Sequence, residues 1–99
     1  MTTFTLEPQE NDRLQSLCGA FDENIKLIEK EFNLNISRSN FTFTVKSNDE
    51  NPKFHHEQLI ERAAKLIQTL YVETAPIKGK VKELDLEDVH IALQESRML

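Results

Sequence analysis

FDENIKLIEKEFNLNISRSNFTFTV, residues 21–45, reads as a helix, a short strand, a tight turn and a second strand. Ile25, Ile28 and Phe32 recur at helical spacing, and Phe21 extends that stripe backward. Glu23, Lys26, Lys30 and Glu31 fall on the opposite, wet side. Asp22 is the expected N-cap, because its carboxylate can accept from the backbone N–H groups of the first turn. Asp22 and Glu23 also suit the positive end of the helix dipole. Asn33 tolerates positive φ and is the expected helix stop, with Leu34 folding back onto Ile28. Beyond it, Leu34 and Ile36 alternate with Asn35 and Ser37, and Phe41, Phe43 and Val45 alternate with Thr42 and Thr44. Period two in β-branched and aromatic residues predicts strands with one buried face. Arg38, Ser39 and Asn40 are the expected turn between them. The sheet then offers a Phe/Ile face to helices and a Thr-rich face to water.

Upstream, Thr3 and Thr5 alternate with Phe4 and Leu6, a short strand that Glu7-Pro8 ends. Asn11 or Asp12 can cap a short helix carrying Leu14, Leu17 and Cys18, and Gly19 is its stop. Gly19-Ala20-Phe21 therefore joins two helices with almost no linker. Downstream, Ser47–Asn51 is a polar loop, and Asn51-Pro52 opens a helix as cap and first-turn proline. One long helix is expected from about Lys53 to Val72, with Leu59, Ile60, Ala63, Leu66, Ile67, Leu70 and Tyr71 forming a broad apolar stripe. Thr74–Lys82 is a loop broken by Pro76 and Gly79. Asp85 caps a last helix, with Asp88 placed as the acid of a capping box and Leu86, Val89, Ala92 and Leu93 on its buried side. The order strand, helix, helix, strand, strand, helix, helix predicts an α+β domain: a three-stranded antiparallel sheet with helices on one face.

The chain of 99 residues is the size of one domain, residues 1–99. Such a chain buries a little over ~60% of its extended-chain surface, enough for one core. The formal charge is −5, which argues against strong nonspecific nucleic-acid binding, since that affinity comes from neutralised phosphates. The acidic excess lies mainly in residues 1–50, with five Lys/Arg against nine Asp/Glu. A single cysteine, Cys18, permits no internal disulfide and reads as a buried small apolar residue. No apolar run approaches the ~20 residues a membrane span needs, and no signal-peptide pattern opens the chain.

Catalytic patterns are absent. His55 and His56 are adjacent, so on a helix they point ~100° apart rather than chelating as an i, i+4 pair would. His90 stands alone, and no nucleophile has a base at readable spacing. Gly79-Lys80 fails as a phosphate loop, because position 74 is Thr and position 81 is Val. Lys78, Lys80 and Lys82 on that loop are solvated residues within reach of phosphates.

The element order, with a glycine between the first two helices, resembles a type I KH domain, a module that clamps single-stranded nucleic acid with a GXXG loop. The corresponding residues are Gly19, Ala20, Phe21 and Asp22, so an acidic residue stands where the second glycine belongs. A carboxylate there repels phosphate, and Lys26, Arg38 and Lys46 are the nearby basic residues that would compensate. The wording is more specific than the order. Leu14-x-x-Leu17-Cys18-Gly19 with Asp22-Glu23-Asn24 and Ile28-Glu29 resembles the N-terminal region of PhoH-like proteins of the YbeZ branch. So do Leu70-Tyr71-Val72-Glu73-Thr74-Ala75-Pro76 with Lys78-Gly79-Lys80-Val81, and Val89 through Arg97. The resemblance implies a cytoplasmic protein linked to phosphate starvation and RNA metabolism. It implies a P-loop ATPase domain after residue 99 that binds ATP and magnesium; none of those ligands falls in these residues. The expected role is a non-catalytic accessory to that ATPase, binding single-stranded RNA or a partner such as an endoribonuclease of the YbeY type. Gly19, Ala20, Phe21, Lys26, Arg38 and Lys46 are then the contact residues. The alternative is a protein-interaction or homo-oligomerisation module that touches no nucleic acid.

Overall fold

In a computed structural model, residues 1–49 and 54–97 are described. Strand β1 (Thr2–Thr5) precedes helix α1 (Asn11–Cys18), a 3₁₀ turn (Ala20–Asp22) and helix α2 (Glu23–Phe32). Strands β2 (Leu34–Ser39) and β3 (Thr42–Ser47) follow, then helices α3 (Phe54–Glu73) and α4 (Leu86–Arg97). The expected α+β class and element order are the observed ones, in the KH-like sequence of strands and helices. The sheet runs β1-β3-β2 and is antiparallel throughout.

β3 is central because both its edges find partners in register. Phe4 faces Phe43 and Ile36 faces Val45, so the middle of one side of the sheet is apolar. Phe43 and Val45 are wholly buried beneath the helices, with Leu17, Ile28, Ile67 and Val89 in the same core. The Phe4 and Phe43 rings stack at 5.5 Å. On the other side Thr3 meets Thr44 and Thr5 meets Thr42 through their hydroxyls, a threonine ladder facing solvent. The alternation read from the sequence therefore assigns both faces correctly.

Four local expectations need correction. The hairpin loop is Asn40-Phe41, since Ser39 pairs with Thr42 and Arg38 with Phe43. Asn40 alone takes the positive φ the reversal needs (54°), so β2 keeps Arg38 and Ser39. Phe41 sits in the loop yet stays buried, because Leu6 N–H donates to its carbonyl and ties it to β1. At α1, Glu10 holds the N-cap position with no side-chain cap bond, and Asp12 accepts from Arg13 N–H instead of Asn11 or Asp12 capping the helix. Leu86 lies at the first residue of α4 and is 39% exposed, outside the buried side that Val89 and Leu93 form. Asn51-Pro52 as a helix opening lies outside the described residues.

Two other termini match their chemistry. Asn33 ends α2 in the left-handed region at φ 54°. Asp85 and Asp88 form a reciprocal capping box, each carboxylate accepting from the other's backbone N–H at 2.9 and 3.1 Å. Among the described residues no helix is long and apolar enough to cross a membrane.

Candidate functional site

Among the described residues, only the α1–α2 junction has two successive non-glycine residues at positive φ. Gly19 ends α1 at φ 75°, its N–H donating to Gln15 O. A Cβ at this position would lie 3.0 Å from the Asn24 side chain, so glycine is required by both space and φ. Phe21 and Asp22 follow in consecutive left-handed conformations at φ 53° and 58°. Each such residue costs about 1 kcal/mol or more in local strain. Phe21 is 93% exposed, the least covered large apolar side chain described. It therefore leaves the α2 stripe that its spacing suggested, because the left-handed turn swings it out of helical phase.

Asp22 occupies the N-cap position of α2 but makes no side-chain cap bond. With φ positive, its carboxylate turns away from the first-turn N–H groups and accepts from Arg38 Nη2 at 3.1 Å. Arg38 Nη1 also donates to Asn40 O at 3.3 Å, so one guanidinium joins the junction to the β2–β3 hairpin. The Asp22 bond raises the Arg38 pKa above its ordinary value. A half-exposed pair of this kind contributes about 0.2–1 kcal/mol. Its larger effect is to fix the loop that carries Phe21.

The sequence placed six residues at this site, and the fold unites some of them. Gly19, Ala20, Phe21 and Arg38 are together. Lys26 is exposed on α2, one turn beyond Asp22. Lys46 is not part of the cluster. It pairs with Asn35 near the far end of the hairpin, on the threonine face, whereas Arg38 pairs with Phe43 on the helix face. The two side chains point to opposite sides of the sheet because their positions in the pleat differ by an odd number of residues. Arg38, for its part, is already occupied by Asp22.

Beside the junction lies a cleft walled by α1 and the segment before α4. Asp12, Glu23, Glu83 and Asp85 line it, with Gly19 and Ala20 at its edge. Among the described residues no Lys or Arg lines it. A polyanion entering there meets four carboxylates, which is the reverse of a phosphate clamp. Cys18 lies at the base of the junction, and burial pushes its thiol up to about 11, with Arg38 opposing and Asp22 adding to the rise. The thiol is thus protonated at neutral pH and has no nucleophilic character there. Among the described residues no group of three or more His, Cys, Asp or Glu side chains could hold a metal.

Two buried polar residues went unread in the sequence. Asn24 is wholly buried, and its Nδ2 donates to Leu17 O at 3.1 Å and Leu84 O at 3.0 Å. It therefore staples α1, α2 and the segment before α4 at the junction. Arg13 is 5% exposed and closes the C-terminus of α3, donating to Tyr71 O at 2.9 Å and to Thr74 Oγ1 at 3.0 Å. Its guanidinium also lies over the Tyr71 ring at 4.4 Å and pairs with Glu10. The signal was available in both cases. Arg13 is four residues before Leu17 and Asn24 four before Ile28, so each shares a helical face with a core residue.

A second groove runs between α3 and α4, floored by Leu66, Leu70 and Ala92 and rimmed by Arg62, Lys65 and Glu73. It holds no constellation of reactive groups. No family model matches the chain, and no solved structure matches it.

Proposed function

We propose that this chain is the N-terminal, non-catalytic domain of a cytoplasmic PhoH-like ATP-binding protein, and that it docks a protein partner of the ATPase through the Phe21 loop. The family part rests on the wording of residues 14–29, 70–81 and 89–97 and agrees with an α+β fold of KH-like order. In the parent protein, ATP and magnesium belong to the P-loop domain expected beyond residue 99. The part played by this domain is recognition.

One observation carries the docking reading: Phe21 is 93% exposed on a backbone that costs energy to hold. Among the described residues none covers that ring to any extent that would hold the fold together. An aromatic side chain presented rigidly loses little entropy on burial, and such anchors dominate interface energies. Protein rather than RNA is favoured because the neighbouring cleft is acidic, Arg38 is taken by Asp22, and Lys46 faces the other way.

The test is a titration of the domain with an endoribonuclease of the YbeY type, and separately with labelled single-stranded RNA carrying a crosslinkable base. Phe21→Ala should leave the circular dichroism spectrum unchanged and weaken the protein complex by about 30-fold, the cost of about 2 kcal/mol typical of a hot-spot aromatic. Crosslinking of RNA to residues 19–22, lost in Arg38→Ala, would replace this reading with the nucleic-acid clamp. The family assignment has its own check: a GxxxxGK[ST] after a strand pattern in the coding sequence beyond Leu99.

A further inference from the structure

Among the described residues, the loop before α4 carries three alternating lysines within five positions. Ile77-Lys78-Gly79-Lys80 is a two-residue reversal in which Ile77 N–H donates to Lys80 O at 2.8 Å and Lys80 N–H to Ile77 O at 3.1 Å. Lys78 and Gly79 both take positive φ, 53° and 79°, as a type I′ turn requires. The side chains of Lys78, Lys80 and Lys82 are exposed, and none forms an ion pair among the described residues. Three of the four arginines, Arg13, Arg38 and Arg97, are each bound to a carboxylate, and Arg62 lies away from the turn on the α3–α4 groove. Ile77 is 69% exposed on the same turn.

This protrusion is held at both ends. Thr74 is buried and fixed to Arg13 and Tyr71 before it. After it, Ser16 Oγ donates to Lys82 O and accepts from Leu84 N–H, while Leu84 is buried and its carbonyl accepts from Asn24. A Cβ built on Gly79 meets nothing within 4 Å, so the tip is open to an approaching ligand. Three unpaired ammonium groups, an exposed aliphatic side chain and an unobstructed tip are therefore presented on a fixed stem.

We propose that the 77–82 turn is a binding site for a single-stranded polynucleotide, its phosphates taken by Lys78, Lys80 and Lys82 and a sugar or base face resting on Ile77. This site is separate from the Phe21 loop and stands without that reading. The acidic cleft takes in Val81 and Glu83 but not Ile77, Lys78, Gly79 or Lys80, so a strand one nucleotide wide can touch the tip without entering that cleft. A flat anionic bilayer would bring its charge against Glu83 and Asp85 as well, which disfavours a lipid surface for a chain of net charge −5. Lysine supplies charge without base specificity, so the site recognises backbone rather than sequence.

The experiment is fluorescence anisotropy of a labelled oligouridine RNA against the full chain. Three phosphate contacts on a single strand give a log–log salt slope of about −2, or about 20-fold weaker binding between about 50 and about 200 mM salt. Lys78→Gln/Lys80→Gln/Lys82→Gln should lose at least about tenfold at the lower salt and flatten that slope. The paired control Lys26→Gln/Lys46→Gln should stay within about twofold, because those residues lie elsewhere. All five substitutions are on exposed side chains, and thermal melts confirm that each protein is folded. The proposal is overturned by no binding at about 100 μM protein in low salt, by full binding in the triple variant, or by an equal loss in the control. Tighter binding to phosphatidylserine vesicles than to the RNA would overturn it too, as would displacement by inorganic phosphate at constant ionic strength. Loss of Phe21 leaves this binding intact, so the two sites fail or stand separately.

Discussion

Cys18 is a residue whose environment makes a measurable statement about stability. Its thiol is 2% exposed, and burial raises its pKa from 9.0 to about 11. The folded state therefore holds the proton more tightly than the unfolded state. The resulting contribution is present in full below about pH 9 and is lost as pH rises through 11. Its size is on the order of 2 kcal/mol. Urea unfolding at successive pH values should show wild-type stability falling faster than that of Cys18→Ala across this window, and the two curves running parallel below it. Equal slopes throughout would mean that the thiol titrates normally. Single residues were also where the sequence was least legible. Periodicity put Phe21 on the α2 stripe, yet its φ of 53° takes it into solvent. Helical spacing is a statement about helical backbone and has no force once φ changes sign. Asp22 failed as a cap for the same reason, its carboxylate going to Arg38.

At the scale of elements, β2 shows how an exposed strand edge is closed. Ile36 N–H points away from β3 and donates to Glu29 Oε2 at 2.7 Å, so a helix carboxylate occupies a site where another strand could pair. Glu29→Ala should cost about 1–2 kcal/mol by leaving that partly buried amide unsatisfied. It should also raise the self-association of the chain, seen by light scattering with concentration; a monomeric, equally stable variant would remove this role from Glu29. The elements themselves were largely readable. Strand alternation, the Asn33 stop and the Asp85–Asp88 box all depend on a few adjacent residues, and all appear as expected. The hairpin loop was displaced toward Phe41 because register with β3 outweighed the turn preference of Arg38-Ser39-Asn40.

For the whole molecule, α4 is the closing piece. It lies against α2 and α3, buries Val89 and Leu93 in the shared core, and is tied to α2 by the ion pair of Arg97 with Glu31. Removing residues 86–99 would take Val89 and Leu93 out of the shared core and uncover the faces of α2 and α3 on which α4 lies. Losing two core side chains costs about 2–5 kcal/mol each by the measure of large-to-small substitutions, comparable to the stability of a whole domain. The truncated chain should therefore bind a hydrophobic dye and lose its cooperative thermal transition. A sharp melt would mean that α4 is an appendage.

Local chemistry alone determined the class of this protein: the four helices and three strands of the described residues in order, the apolar face of the sheet, the threonine face, the Gly19 and Asn33 stops and the Asp85 cap. Each follows from contacts within a turn or a strand pair, so the residue pattern carries it. The tertiary structure decided which charges remain available. It neutralised Arg38 with Asp22, buried Arg13 under α3, sent Lys46 to the opposite sheet face, and left Lys78, Lys80 and Lys82 exposed on an anchored turn, with no ion pair among the described residues. A charge is set by its neighbours in space, and residues brought together from 16 or 61 positions apart have no signature in a window of sequence.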